Sequence, residues 1–292
     1  MTHPVLPPAL VEPLPEVDLR PGRRGRWPSP WHFVLLPLAL VMLTPLLWMV
    51  VTAVSTPAEA RQFPPQLPSS VQWSNFTDVW TTSPFGRWLV NTAIVSGVVV
   101  LSNLVLCSLA GYAFARIRFR GSGLTFMVLL ATLMVPFQVV LIPTLLIVKQ
   151  FGLIDHLGAL IVPNLVSAFG VFMMRQFFLA LPPDLEEAGR MDGASRLGVF
   201  VKILLPLMGP ALATLAILTF LSIWNDFLWP LVVIQTPENM TMQLGLSTFQ
   251  GAHLTDWTLL MAATLMSQLP VIVMFLLGQR VFVRSIASSG IK

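Results

Sequence analysis

The sequence predicts an all-α integral membrane protein: six transmembrane helices, both termini on the cytoplasmic side, and a cytoplasmic helix–turn–helix between spans four and five. Three observations carry that reading. First, 55% of the 292 residues are hydrophobic and only 10% are charged, with a mean hydropathy of +0.78. A soluble chain of this length could not hide so much apolar side chain in one core. Second, six stretches hold no Asp, Glu, Lys or Arg: Trp27–Ala58, Trp88–Ala115, Gly121–Val148, Leu157–Met174, Ile203–Asn225 and Trp257–Gln279. All but Leu157–Met174 exceed the ~20 residues that cross ~30 Å of hydrocarbon as a helix, and that one sits at the low end of the range. The runs are continuous and not alternating, which selects helices over a barrel. Third, on this topology 14 of the 17 Lys and Arg residues lie on the inner side, leaving Arg61, Arg87 and Lys149 outside. That asymmetry follows the positive-inside rule and sets an N-in, C-in orientation. The sequence pI of 10.0 is then a topogenic signal and does not point to nucleic acid.

Residues 1–31 carry eight prolines and read as a disordered cytoplasmic tail. The apolar run after Arg26 is too long for a signal peptide and lacks a small-residue cleavage site, so it reads as a retained first span, about 32–54. A Pro-rich outer segment follows, from Thr56 to Pro84. Span two covers about 88–115, and Arg116, Arg118 and Arg120 make a basic inner turn. Span three, about 124–148, contains Pro136 and Pro143. Prolines at that depth remove backbone hydrogen bonds that lipid cannot replace, so this helix is expected to be kinked and to face protein. Spans four to six fall at about 157–178, 205–233 and 259–283; the membrane domain is thus 32–284, and 285–292 forms a cytoplasmic tail. Cys107 is alone and mid-span, which leaves it a packing role. Asn91 and Gln138 sit inside spans, where helix–helix hydrogen bonds are expected.

The segment between spans four and five is the densest in charge. From Arg175 to Lys202 it holds four basic residues and four acidic ones (Asp184, Glu186, Glu187, Asp192). Pro182-Pro183 ends span four, Asp184 can cap a new helix, and Glu187 stands three residues on, as in a capping box. Gly193 lies where a left-handed C-cap would end that helix, and Ser195 can cap a second. Leu197, Phe200, Val201 and Leu204 then fall at i, i+3, i+4 and i+7, an apolar stripe toward the membrane domain. The tip residues Ala188, Gly189, Gly193 and Ala194 are small, so another protein's backbone can approach closely, while the flanking charges fix register. An amphipathic hairpin lying on anionic headgroups would favour a Lys/Arg-rich face, and this segment has no net charge.

The run Glu187-Ala188-Gly189, with Gly193 four residues on and Ile203-x-Leu205-Pro206 beyond, resembles the cytoplasmic coupling loop of permeases of type I ABC importers. The likeness extends over about Trp31 to Lys292 and is to the carbohydrate-uptake group, which includes maltose and glycerol-phosphate systems. It rests further on Trp73-Ser-Asn75-Phe, Arg87-Trp-Leu-Val-Asn91, Ala110-Gly-Tyr-Ala-Phe-Ala115-Arg, Met134-Val-Pro-Phe137, Trp224-Asn-Asp-Phe-Leu-Trp-Pro230 and Gln279-Arg-Val-Phe-Val-Arg284. Two departures stand out: Gly189 where Ala is usual, and a tail Ser285–Gly290 less rich in glycine. The resemblance implies a permease subunit in the cell inner membrane, working with a second homologous permease, two ATPase subunits and an extracytoplasmic solute-binding protein. It implies ATPase coupling through Glu187, Ala188, Gly189, Asp192 and Gly193. It also implies that the outer loop Thr236–Trp257, with Gly245 and Gly251 as flexible points and Gln250 near its tip, contacts the binding protein. Trp224, Asn225, Asp226 and Trp229 are the candidates for sugar or polyol contact, since aromatic faces stack on C–H surfaces and Asn/Asp bond hydroxyls; an interfacial aromatic belt explains the same residues.

No cofactor is expected. The chain has no G-x-x-x-x-G-K-[ST], none of Lys149, Lys202 and Lys292 follows a Gly, and the four histidines show no metal spacing. ATP would therefore be bound by a partner, and the chain is not expected to be an enzyme. A secondary carrier would need ionisable residues at mid-membrane, and the spans have none. A scaffold or sensor that binds a soluble partner without transport is the other alternative; the proline-broken span three and the polar residues within spans weigh against it.

Overall fold

A computed structural model of the chain describes residues 31–62, 66–251 and 255–289, with side chains as far as Leu276. The tail at 1–30, His253 and residues 290–292 lie outside the described residues. The chain divides into two units between Leu46 and Leu47, the first holding the start of α1.

All regular elements among the described residues are helical; the one exception is an isolated antiparallel bridge between Gln250 and Thr255. They are α1 (His32–Ala53), α2 (Ser74–Thr82), α3 (Phe85–Arg116), α4 (Ser122–Thr132), α5 (Phe137–Gln150), α6 (Leu157–Ile161), α7 (Ala168–Ala180), α8 (Asp184–Met191), α9 (Arg196–Val199), α10 (Leu205–Leu207), α11 (Gly209–Trp224), α12 (Leu228–Val233), α13 (Met242–Ser247) and α14 (Trp257–Ser289). Four helices are long and apolar enough to cross a membrane, six if each of two bent pairs counts as one span.

Span three is more than kinked. The pair α4 and α5 meets at 102°. Pro136 has no N–H to give and its ring excludes a continuing helix, so the chain closes α4 with i→i−3 bonds from Leu133, Met134 and Val135 and restarts at Phe137. The span is not protein-facing within this chain either: α4 has no buried residue and α5 only Val148.

Span four breaks in the same economical way, through a 3₁₀ turn at Val162–Asn164 before α7 begins. Asn103 of α3 stabilises the break, its Nδ2 donating to the carbonyls of Asn164 (2.8 Å) and Leu165 (3.3 Å). Ser167 caps α7 by accepting from Gly170 N. Span five is shorter than expected. It ends at Trp224, the chain turns over Asn225–Phe227, and α12 is a separate helix packed beside α5 and α6.

The long α3 is the spine of the second unit. Around its C-terminal half pack Val171, Met174 and Phe178 of α7, with Phe200, Leu204, Ala211 and Leu215. Its N-terminal end, Phe85 and Trp88, is sealed by Met242 and Leu246 of α13 and by Leu260 and Ala263 of α14. A third cluster joins Val95 and Val99 to Ala159, Leu160, Trp229 and Val233.

Candidate functional site

The knuckle at 184–204 forms as the local chemistry dictates, with one correction at its start. Asp184 does not cap α8. Pro183 occupies the N-cap, no side-chain cap bond is made, and Asp184, Glu186 and Glu187 instead place three carboxylates in the first turn, where the helix dipole favours them. The capping box with Glu187 is therefore not formed. Gly193 ends the helix at φ +81°. Ala194 N donates to Gly189 O and Gly193 N to Arg190 O, each at 3.0 Å, the paired bonds of a Schellman motif. Ser195 then caps α9, accepting from Gly198 N at 3.1 Å.

The expected stripe from Leu197 to Leu204 splits. Phe200 and Leu204 are buried, whereas Leu197 and Val201 are exposed. Residues 200–204 form a π turn. Val199 is buried beside Phe200 and Leu204, and Ile203 packs on the same core, so the inward face runs through 199, 200, 203 and 204.

Of the knuckle residues, Glu187, Ala188, Asp192 and Gly193 are exposed and share the open tip, while Gly189 is buried. A Cβ at position 189 would come within 2.6 Å of Ile203 Cδ1 and 3.1 Å of Val199 Cγ2. The departure from Ala thus lets α8 settle closer on the π turn.

Two residues that hold the knuckle in place escaped the sequence reading: Glu186 and Arg116. Glu186 is buried on the inward face of α8, its carboxylate 3.0 Å from Arg116 Nε and 3.5 Å from Arg190. The Arg116–Glu186 contact is an ion pair without an aligned hydrogen bond. Arg116, the last residue of α3, also donates to Phe178 O (2.8 Å), which accepts from Leu181 N as well, and to Leu181 O (2.5 Å), just past the end of α7. One guanidinium thus ties the C-terminal ends of α3 and α7 to α8. A signal existed: Glu186 and Gly189 are three apart and share a helix face, and a carboxylate on a buried face needs a cation.

At the junction of α11 and α12 the candidate contact residues separate. Trp224 and Trp229 are each 2% exposed. Trp224 Nε1 donates to Ser267 O (3.3 Å) and Trp229 Nε1 to Ala159 O (2.9 Å), so neither indole offers an open face here. Asp226 is half-buried and accepts from Trp229 N at 3.4 Å, at the start of α12. Asn225 is exposed and its Oδ1 accepts from Gln243 at 3.3 Å.

The segment after α12 is docked on α3. Trp88 Nε1 donates to Pro237 O (2.8 Å), Asn91 Nδ2 to Glu238 O (2.8 Å) and Met240 O (2.9 Å), and Met242 N to Thr92 Oγ1 (2.7 Å). Asn91 therefore bonds the loop backbone and not another span. Gly245 is no flexible point: it is buried in α13, and a Cβ there would lie 2.2 Å from Trp88 Cδ2. Gln250 is exposed beyond α13, beside the bridge to Thr255. Asp155, at φ +62°, fastens the α5–α6 turn to this loop. Its carboxylate accepts from Thr236 N and Gln235 N, which hold its pKa down at about 2, and its carbonyl accepts from Asn239 at 2.6 Å.

The profile of binding-protein-dependent transport system inner membrane components matches residues 104–288. The chain is 36% identical to the arabinooligosaccharides transport system permease protein of Halalkalibacterium halodurans, over 77% of this chain and 81% of that one. It is 34% identical to the sn-glycerol-3-phosphate transport system permease protein of Pectobacterium atrosepticum, over 88% and 95%. Among solved structures it resembles a chain of a bacterial ABC transporter that imports the acidic polysaccharide alginate, with a TM-score of 0.76, 26% identity and coverage of 88% and 99%. A second alginate transporter chain, in complex with a periplasmic protein carrying an alginate pentasaccharide, aligns with a TM-score of 0.62 at 16% identity, over 85% of this chain and 92% of that one, and shares the fold.

Proposed function

From the premise that this chain belongs to the family of binding-protein-dependent transport system inner membrane components, we propose that it is the permease subunit of an ATP-driven importer for a sugar, oligosaccharide or polyol. It forms half of the translocation pathway beside a homologous permease. Two ATPase subunits supply the energy, and an extracytoplasmic binding protein delivers the substrate. In this reading the bent pair α4 and α5 is one span and α10 with α11 is another, which with the four long helices gives six, and the termini face the cytoplasm with the α8–α9 knuckle.

The observation that carries the mechanism is the knuckle's two-sidedness. Its inward face is bolted to α3 and α7 through Glu186 and Arg116, while its outward tip presents small residues and the free carboxylates Glu187 and Asp192. A rigid anchor with an open charged tip passes displacement of a docked ATPase into the ends of α3 and α7. Glu187 orients the tip in the partner's groove, and Gly193 lets the chain reverse tightly enough to fit there. At the other end, the docked loop leaves Thr248–Gly251 and the exposed Asn225–Gln243 pair to meet the binding protein and its substrate.

Glu187→Lys and Gly193→Asp test the coupling. The first reverses an interface charge, a change of about 2–5 kcal/mol in partner affinity; the second forces a side chain into a left-handed backbone. Both variants are expected to reach the membrane at normal levels while losing ATP-driven uptake. Normal uptake by both would refute this role for the knuckle.

A further inference from the structure

A cavity of about 190 Å³ lies where α3, the break in span four and the outer half of α11 meet. Asn103 in its wall is near the middle of the 32-residue α3, about 27 Å from one end and about 20 Å from the other at 1.5 Å per residue. Irregular backbone at mid-membrane depth survives only where protein buries it or where it lines a water-filled space. Asn103 satisfies the carbonyls of the break, yet three polar groups in the wall remain open. Thr214 and Thr264 return their hydroxyls to their own helix backbones. Thr219 and Ser222 do not, and among the described residues neither hydroxyl has a partner. Asn164 donates to Leu160 O, which leaves its Oδ1 free. Phe169, 47% exposed, completes the wall with an aromatic face. No charged side chain lines the space.

We propose that this cavity is a hydrated subsite for an uncharged, polyhydroxylated substrate, a neutral sugar ring that stacks on Phe169 and bonds Thr219, Ser222 and Asn164. The chemistry excludes a phosphorylated polyol or a uronate at this point, because an anion would be held at mid-membrane depth with no cation beside it. The inference rests on the importer reading and narrows it to neutral sugars.

The test uses the whole transporter in proteoliposomes. Leu218→Cys, in the cavity wall but outside the proposed bonding groups, is introduced in a Cys107→Ser background, with Leu101→Cys, on an exposed apolar face of α3, as the lipid-side control. The impermeant reagent sulfonatoethyl methanethiosulfonate is expected to label Leu218→Cys and spare Leu101→Cys. Saturating arabinooligosaccharide with its binding protein should slow that labelling about tenfold, as nine-tenths occupancy requires. Labelling of Leu218→Cys only by lipid-soluble N-ethylmaleimide would overturn the proposal. So would protection by glycerol 3-phosphate or an alginate oligosaccharide in place of the neutral sugar, or labelling that none of the three slows. Failure of the importer reading itself would show separately, as a parent transporter whose ATPase no binding protein stimulates.

Discussion

Replacing Glu186 by Ala should destabilise the protein through a partner 70 positions earlier in the chain. The side chains of Arg116 and Glu186 are 13% and 7% exposed, and their charged atoms lie 3.0 Å apart. Removing one member of a buried pair costs about 3–5 kcal/mol, because it strands the other charge. Arg116 would keep its bonds to Phe178 O and Leu181 O, so the lower end, about 3 kcal/mol, applies. For a chain of this size that corresponds to a fall in Tm of roughly 6–12 °C. Thermal unfolding of the purified transporter in detergent, followed by tryptophan fluorescence, reads the shift. The double variant Arg116→Met, Glu186→Met carries the sharper expectation. Apolar replacement of both partners restores most of the loss, since no charge is left buried. A Glu186→Ala shift below about 2 °C would refute the reasoning, as would a double variant whose loss equals the sum of the single losses.

Gly245→Ala should be poorly tolerated, costing about 1–3 kcal/mol from overpacking, because its Cβ would press on the Trp88 ring at 2.2 Å; expression and Tm check this, and a neutral outcome would show that α13 does not pack as described. For Asp155 the folded pKa of about 2 lies below the usual 3.8, so its contribution is complete above about pH 4 and is lost as pH falls toward 2. Asp155→Asn, which tolerates the left-handed backbone, should therefore be less stable than the parent at neutral pH and lose less on acidification; parallel stability curves would count against the clamp. Reporter fusions after Arg120 and after Arg196 should report the cytoplasm and one after Lys149 the outside; a cytoplasmic signal at Lys149 would sink the six-span topology.

The Arg116–Glu186 pair also shows where sequence reading reached its limit. Spacing identified the knuckle, its turn at Gly193 and its second cap at Ser195, because those features are settled within a few residues of chain. It singled out Glu187 and overlooked Glu186, because which carboxylate turns inward depends on where α3 ends relative to α8. The aromatic group at Trp224–Trp229 misled for a similar reason: a Trp near a span end serves a surface or a core equally well until its neighbours are placed. Here Ser267 and Ala159 claim the two indoles.

By itself the sequence determined that the chain spans a membrane, roughly where its helices run, and that one charged, small-tipped knuckle stands apart from them. Hydropathy, proline and capping chemistry act over a turn or a span of helix, and that information is local. The tertiary structure alone decided the docking of the 236–247 segment on α3 and the cavity beside the break at Val162–Asn164. Each depends on groups far apart in sequence, such as Trp88 with Pro237 or Asn103 with Asn164. In an apolar surrounding an unpaired polar group costs so much that these distant partners, and not the local pattern, fix where the backbone turns.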